Sequence, residues 1–194
     1  MALFKKKKEE PLKEETYVFF NGEFNEYLKK PTEHYYTRLK KFDKSGVKFN
    51  FLDPHLDLFQ KEKLDITDEI AGYLFARMAK CKNALLVLSD KTPYISNWLL
   101  YELTLAVEGF NLPIIIAYED TRFVFNPKDK SNLWPDSIAR NIIDNDFNAI
   151  HIPLSIIPLR QANEDITIYN FKNEKNTYAQ FTYSKAKYRD WNIL

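Results

Sequence analysis

Ser96-Asn97-Trp98-Leu99-Leu100-Tyr101-Glu102-Leu103-Thr104-Leu105-Ala106-Val107-Glu108 stands between two apolar runs, Ala84-Leu85-Leu86-Val87-Leu88-Ser89-Asp90 and Pro113-Ile114-Ile115-Ile116-Ala117-Tyr118. Each flanking run has the length of a strand and is almost continuously apolar, the pattern of a strand covered on both faces. The stretch between them should be a helix packed on the resulting parallel sheet. At about 100° per residue, Thr104 and Glu108 share one face of that helix and can meet water, while Glu102 points well over 100° away from them. Its neighbours there are Trp98, one turn before, and Ala106, one turn after. A carboxylate on the apolar side of a helix costs free energy unless something uses it. It is either a structural glutamate, snorkelling to water or bonded to a backbone amide, or a functional one.

The same alternation extends in both directions. Tyr17-Val18-Phe19-Phe20 reads as a first strand ending at Asn21-Gly22. Pro31-Thr32 opens a helix with Thr32 as N-cap and Tyr35, Leu39 and Phe42 at helical spacing, stopped by Ser45-Gly46. Val47 to Leu52 is a second strand ending at Asp53-Pro54, followed by a loop carrying Leu56, Leu58 and Phe59. Asp65 or Thr67 caps a helix whose apolar face is Ile66, Ile70, Tyr73, Leu74, Met78 and Cys81. Ser131 to Ile143 is a further helix, and Ala149-Ile150-His151-Ile152-Pro153-Leu154 a fifth strand. The expectation is an α/β fold: a doubly wound, five-stranded parallel sheet with helices on both faces. Near the end, Ile166–Phe171 and Thr177–Tyr183 both alternate around a polar turn and read as a β-hairpin, with Trp191 behind them. The division is a flexible charged N-terminus (1–15), one α/β domain (16–158) and a C-terminal extension packed on it (159–194).

A chain of 194 residues with 45% hydrophobic and 15% aromatic side chains can bury one sizeable core. Lys plus Arg is 28 against 27 Asp plus Glu, a balance that speaks against bulk nucleic-acid binding. The single cysteine, Cys81, excludes an internal disulfide and suits a reducing, cytoplasmic setting. Lys5 to Lys8 is basic, but no apolar stretch of signal length follows and Glu9, Glu10, Glu14 and Glu15 lie close behind. No run is long enough to cross a membrane, so no membrane partner is expected.

In an open α/β sheet a ligand binds outside the carboxyl ends of the strands. The side chains that converge there are Phe20, Asn21, Asp53, Ser89, Thr92 and Ser96, with Trp98 and Glu102 entering from the following helix. Ser89, Thr92 and Ser96 also suit turns and caps. His34, His55 and His151 have no metal spacing, so no metal centre is expected. A G-x-G-x-x-G fingerprint and a P-loop are both absent, which removes a Rossmann dehydrogenase and a P-loop NTPase. Asn21-Gly22-Glu23 is a poor match to the acidic first-strand end of a response-regulator receiver.

The apolar strand, Ser89-Asp90-Lys91-Thr92, Ser96-Asn97-Trp98-Leu99-Leu100-Tyr101-Glu102-Leu103 and the second apolar strand together resemble the third-strand and third-helix region of TIR and TIR-like domains. The resemblance covers roughly residues 16 to 155, on the flavodoxin-like scheme of that family, and is nearest to the single-domain TIR-like proteins of bacterial Thoeris anti-phage systems. The loop from Pro54 falls at the family's BB-loop position. The longer link before Pro31 and the C-terminal hairpin depart from the common TIR core. The resemblance implies that Glu102, four residues after Trp98, is the catalytic residue of an NAD⁺-cleaving enzyme, with NAD⁺ as substrate and no cofactor. It further implies a homo-oligomer acting in the cytoplasm, whose ADP-ribose-derived product reaches a separate effector protein in anti-phage defence. Two other functions fit the residues: a non-catalytic TIR-like assembly module, and an N-glycosidic enzyme resembling nucleoside 2-deoxyribosyltransferases, which also use a glutamate near a sheet edge.

Overall fold

The computed structural model of the protein describes residues 15–19, 35–43, 49–52, 68–90, 92, 97–165 and 178–194. Among the described residues six strands form one sheet: β1 (Glu15–Val18), β2 (Phe51–Leu52), β3 (Cys81–Leu88), β4 (Ile114–Tyr118), β5 (Ala149–Pro153) and β6 (Gln180–Thr182). Their order is β2-β1-β3-β4-β5-β6, and every pairing is parallel. This is the flavodoxin-like order with one strand added at the far edge.

Side chains of a strand alternate between its two faces, and here both faces are covered. Ala84, Leu86 and Leu88 of β3 and Ile114, Ile116 and Tyr118 of β4 point into one core. Leu85, Val87, Ile115 and Ala117 point into the other. The first core is roofed by α3 (Asn97–Thr104), through Leu99 and Leu103, and by α4 (Asp136–Ile143), through Ile138 and Ile142. Met78, at the end of α2 (Asp68–Met78), joins it. The second core is roofed by α1 (Tyr35–Asp43), with Tyr35 and Leu39, and by α5 (Ile156–Glu164), with Leu159 and Ala162. Burial on both faces explains why β3 and β4 read as continuous apolar runs.

The sixth strand corrects the expected five-stranded sheet with a hairpin extension. Gln180, Phe181 and Thr182 pair in parallel with Ala149, Ile150 and His151, so this segment extends the main sheet. Alternation marks a half-buried strand without revealing its direction, and all three residues are only partly buried at an edge. The proposed first arm, 166–171, lies outside the described residues.

Other boundaries shift for local reasons. Cys81 begins β3 and does not end the preceding helix. The expected helix over 131–143 is two pieces, a 3-10 segment Pro127–Leu133 and α4, because Trp134, the residue before Pro135, is extended between them. The helix carrying Glu102 runs regularly to Thr104 and then widens into a π turn over Leu105–Gly109. β5 ends at Pro153, and the part of the expected second strand before Phe49 lies outside the described residues. Among the described residues no helix is long and apolar enough to cross a membrane.

Past β6, Ser184 caps α6 (Lys185–Asp190) by accepting the amide of Lys187 at 3.2 Å. Tyr188 on α6 is fully buried against Phe123 and Phe125 of the loop after β4, and Trp191 closes on Tyr188 and Tyr183. The Tyr188 hydroxyl takes the Val124 amide at 3.2 Å, and Thr182 donates to the Phe125 carbonyl at 3.1 Å. The end of the chain thus packs over the carboxyl end of β4.

Candidate functional site

A sheet of this order has its topological switch between β1 and β3, where successive connections leave in opposite directions. In sheets of this order the ligand crevice lies outside the carboxyl ends of those two strands, whereas here the corresponding end of β4 is packed under the aromatic cluster of Tyr188 and Trp191. Helix α3 follows β3 in the chain, packs on the core beneath it through Leu99 and Leu103, and reaches β1 through Glu102 and Tyr17. Glu102 is its sixth residue, roughly 7.5 Å down the axis from Asn97 at 1.5 Å per residue.

Glu102 is fully buried, while Thr104 and Glu108 are exposed, as the helical spacing requires. Its carboxylate accepts a hydrogen bond at Oε1 from the hydroxyl of Tyr17 on β1, the strand between β2 and β3. Tyr17 is equally buried and stands edge-on to Phe19 at 5.6 Å between ring centres. Leu99, Leu103 and Ala106 pack on the same core. The burial of Glu102 is thus not the snorkelling arrangement of a surface glutamate. It is a carboxylate inside the core that accepts from a neutral hydroxyl, at the strand pair where a ligand crevice belongs.

Two of the remaining candidates meet at the rim. The Ser89 amide donates to Thr92 Oγ1 at 2.8 Å and the Thr92 amide to the Ser89 carbonyl at 3.1 Å, closing a tight turn at the end of β3. Their turn role is therefore fulfilled, and both stay partly exposed at the rim. Trp98 lies on α3, four residues before Glu102. Phe20, Asn21, Asp53 and Ser96 lie outside the described residues, as does the Leu56–Phe59 loop. Tyr17, the partner of Glu102, was not singled out by the sequence: an aromatic in a buried strand reads as core, and only the packing of α3 on β1 reveals what its hydroxyl meets.

A second buried polar group lies away from this crevice. Trp134 Nε1 donates to the Tyr118 hydroxyl at 2.8 Å, that hydroxyl is 2.8 Å from His151 Nδ1, and His151 Nε2 is 2.8 Å from Gln180 Oε1. Gln180 in turn donates its amide to the Phe147 carbonyl at 2.9 Å, which fixes the amide orientation. Gln180 Oε1 can only accept, so Nε2 of His151 carries the hydrogen and Nδ1 accepts from Tyr118. Burial holds the imidazole neutral, its pKa lowered to about 4, against a smaller opposing effect of Gln180. Burial also raises the Tyr118 pKa, offset in part by Trp134. Every member of the chain has a partner, so it knits β4, β5 and β6 together without leaving a group over for chemistry.

A groove of about 370 Å³ opens between α3 and α4 on the opposite side of α3 from Glu102, lined by Leu100, Thr104, Glu108, Asn141 and Tyr178 among others. It reaches Asn111, Asp146 and Phe147, just before β4 and β5, and so lies towards the amino ends of the strands. Among the described residues no group of three or more His, Cys, Asp or Glu side chains could hold a metal ion. No family model matches the chain, and no curated protein matches it.

Proposed function

We propose that the protein is a TIR-type NAD⁺-cleaving enzyme, an NAD⁺ glycohydrolase or ADP-ribosyl cyclase, with Glu102 as its catalytic carboxylate. The observation that carries the reading is the burial of Glu102 on the Tyr17 hydroxyl beside the β1–β3 switch point. A scaffold gains nothing from a carboxylate in its core, since a leucine there would add apolar burial and avoid the desolvation cost.

The chemistry follows from charge. In NAD⁺ the nicotinamide is a cationic leaving group and departs with the electron pair of the N-glycosidic bond, needing no proton. Positive charge then develops on the ribose, as it does in glycoside hydrolysis. A carboxylate held close to the ribose stabilises that charge, and low-dielectric surroundings strengthen the effect. Water attacks the anomeric carbon and loses a proton to give ADP-ribose, or a nucleophile of the same molecule attacks to give a cyclic product.

In this reading Phe20, Asn21, Asp53, Ser89, Thr92, Ser96 and Trp98 complete the substrate pocket. The enzyme acts in the cytoplasm as a homo-oligomer, and its product signals to a separate effector in a Thoeris-like defence. The test is mass spectrometry of NAD⁺ incubated with the purified protein, with and without lysate from phage-infected cells, and of deoxynucleosides in parallel. Nicotinamide release with an ADP-ribose product supports the reading. Base exchange on deoxynucleosides alone would replace it with a deoxyribosyltransferase. Inertness to both would leave an assembly module.

A further inference from the structure

We propose that Tyr17 is a positioning residue for Glu102, fixing the plane of its carboxylate for the ribose of the substrate; this rests on the NAD⁺ reading above. The two residues are 85 positions apart in sequence and belong to elements on either side of the switch point, β1 and α3. Each is fully buried.

The donor is unusually well fixed. The backbone of Tyr17 is paired on both sides, with Leu52 of β2 and Ala84 of β3, so β1 cannot shift at this position without breaking two ladders. Its ring is wedged against Phe19 in a core that also holds Leu99, Leu103 and Ala106 of the glutamate's helix. A glutamate has three side-chain torsions, and the last is broad and two-fold. Packing on α3 can hold the aliphatic stem, but only a hydrogen bond sets the rotation of the carboxylate itself. The Tyr17 hydroxyl supplies one such bond, at Oε1. Because a phenol is neutral, it orients the carboxylate without cancelling the charge that the transition state needs, as an ammonium or guanidinium in the same place would.

The reach of the effect is geometric. Electrostatic stabilisation depends on groups being preorganised where charge develops, and a displacement of the order of 1 Å costs up to about 100-fold in rate. Tyr17→Phe keeps the ring and removes only the donor. The expected result is a kcat roughly 10- to 100-fold lower with KM within about threefold, since the loss is felt only in the transition state.

The experiment measures kcat and KM for NAD⁺ in the parent, Tyr17→Phe, Glu102→Gln and the double variant, with and without lysate from phage-infected cells, beside thermal unfolding of each. In the Glu102→Gln background, Tyr17→Phe should cause no further drop, because the charged group it orients is gone. Non-additivity of that kind separates positioning from general weakening of the core. Unchanged kcat in a folded Tyr17→Phe protein would overturn the proposal, as would a loss of rate that only tracks the loss of folded protein. Parent protein that releases no nicotinamide under either condition would overturn the NAD⁺ reading and the role of Tyr17 with it. Parent turnover that survives Tyr17→Phe overturns the role of Tyr17 alone.

Discussion

The Tyr118 hydroxyl lies 2.8 Å from Nδ1 of His151, and the two rings run nearly parallel, 5.9 Å apart at 16°. Since Trp134 donates to the same hydroxyl and Gln180 accepts from the far side of the imidazole, one chain of hydrogen bonds spans β4, β5 and β6. Its direction requires a neutral histidine.

A pH dependence of stability follows. The imidazole titrates near 6.5 when unfolded and near 4 when folded, because burial disfavours its charged form. As pH falls from 6.5 towards 4 the unfolded chain binds a proton that the folded one refuses, so stability declines through that window and the loss is complete below it. Above 6.5 the group contributes no slope. The total should be about 3 kcal/mol. Urea unfolding between pH 7 and pH 4 should show a steeper decline for the parent than for His151→Gln; equal slopes would dismiss the assignment.

Asn163, at the end of α5, uses one oxygen to accept from Thr16 at 2.8 Å and from Asn83 at 3.0 Å. This fastens α5 to β1 and β3 near their amino ends. Asn163→Ala takes the shared acceptor from two buried donors and should cost about 2–3 kcal/mol. Asn163→Asp keeps an acceptor there and tests whether acceptance, not volume, is what matters. Denaturant midpoints for both variants give the answer, and a neutral Asn163→Ala would show that the bonds add nothing.

Tyr188 is enclosed by Phe123, Phe125 and Trp191 and bonded to Val124. Tyr188→Ala should therefore cost about 3–5 kcal/mol, as for other large aromatics removed from a core. Because the proposed site lies at β1 and β3, far along the sheet from β6, this change should lower the melting temperature while leaving the KM for NAD⁺ near the parent value at temperatures where the variant is folded. A raised KM in folded Tyr188→Ala would place part of the substrate pocket under the C-terminal segment.

The layered architecture was legible because burial on both faces leaves an unmistakable mark: Leu85 and Val87 fill one core and Leu86 and Leu88 the other, so β3 has no polar face to interrupt it. The exposure of Thr104 and Glu108 opposite Glu102 was legible for the same reason, a fixed helical angle. Direction of pairing was not. Gln180, Phe181 and Thr182 alternate whether the neighbour runs parallel or antiparallel, and the pairing with β5 is a long-range fact. Nor was the Tyr17 hydroxyl legible as a donor to Glu102, because contacts between distant elements leave no spacing in the chain.

Glu102→Gln separates a catalytic carboxylate from a structural one by comparing rate with stability. The amide keeps the shape of the side chain and its oxygen still accepts from Tyr17, while the buried negative charge disappears. If the charge served the fold, its removal would lower the melting temperature. If it serves chemistry, the fold gives up stability to hold it, and Glu102→Gln should melt at the parent temperature or a few degrees above. Turnover of NAD⁺ should then fall by roughly 100-fold or more, the scale of losing a preorganised electrostatic group. Calorimetry of both proteins beside a nicotinamide-release assay reads both quantities. A Glu102→Gln protein that is folded, unchanged in melting temperature and fully active would remove Glu102 from the mechanism.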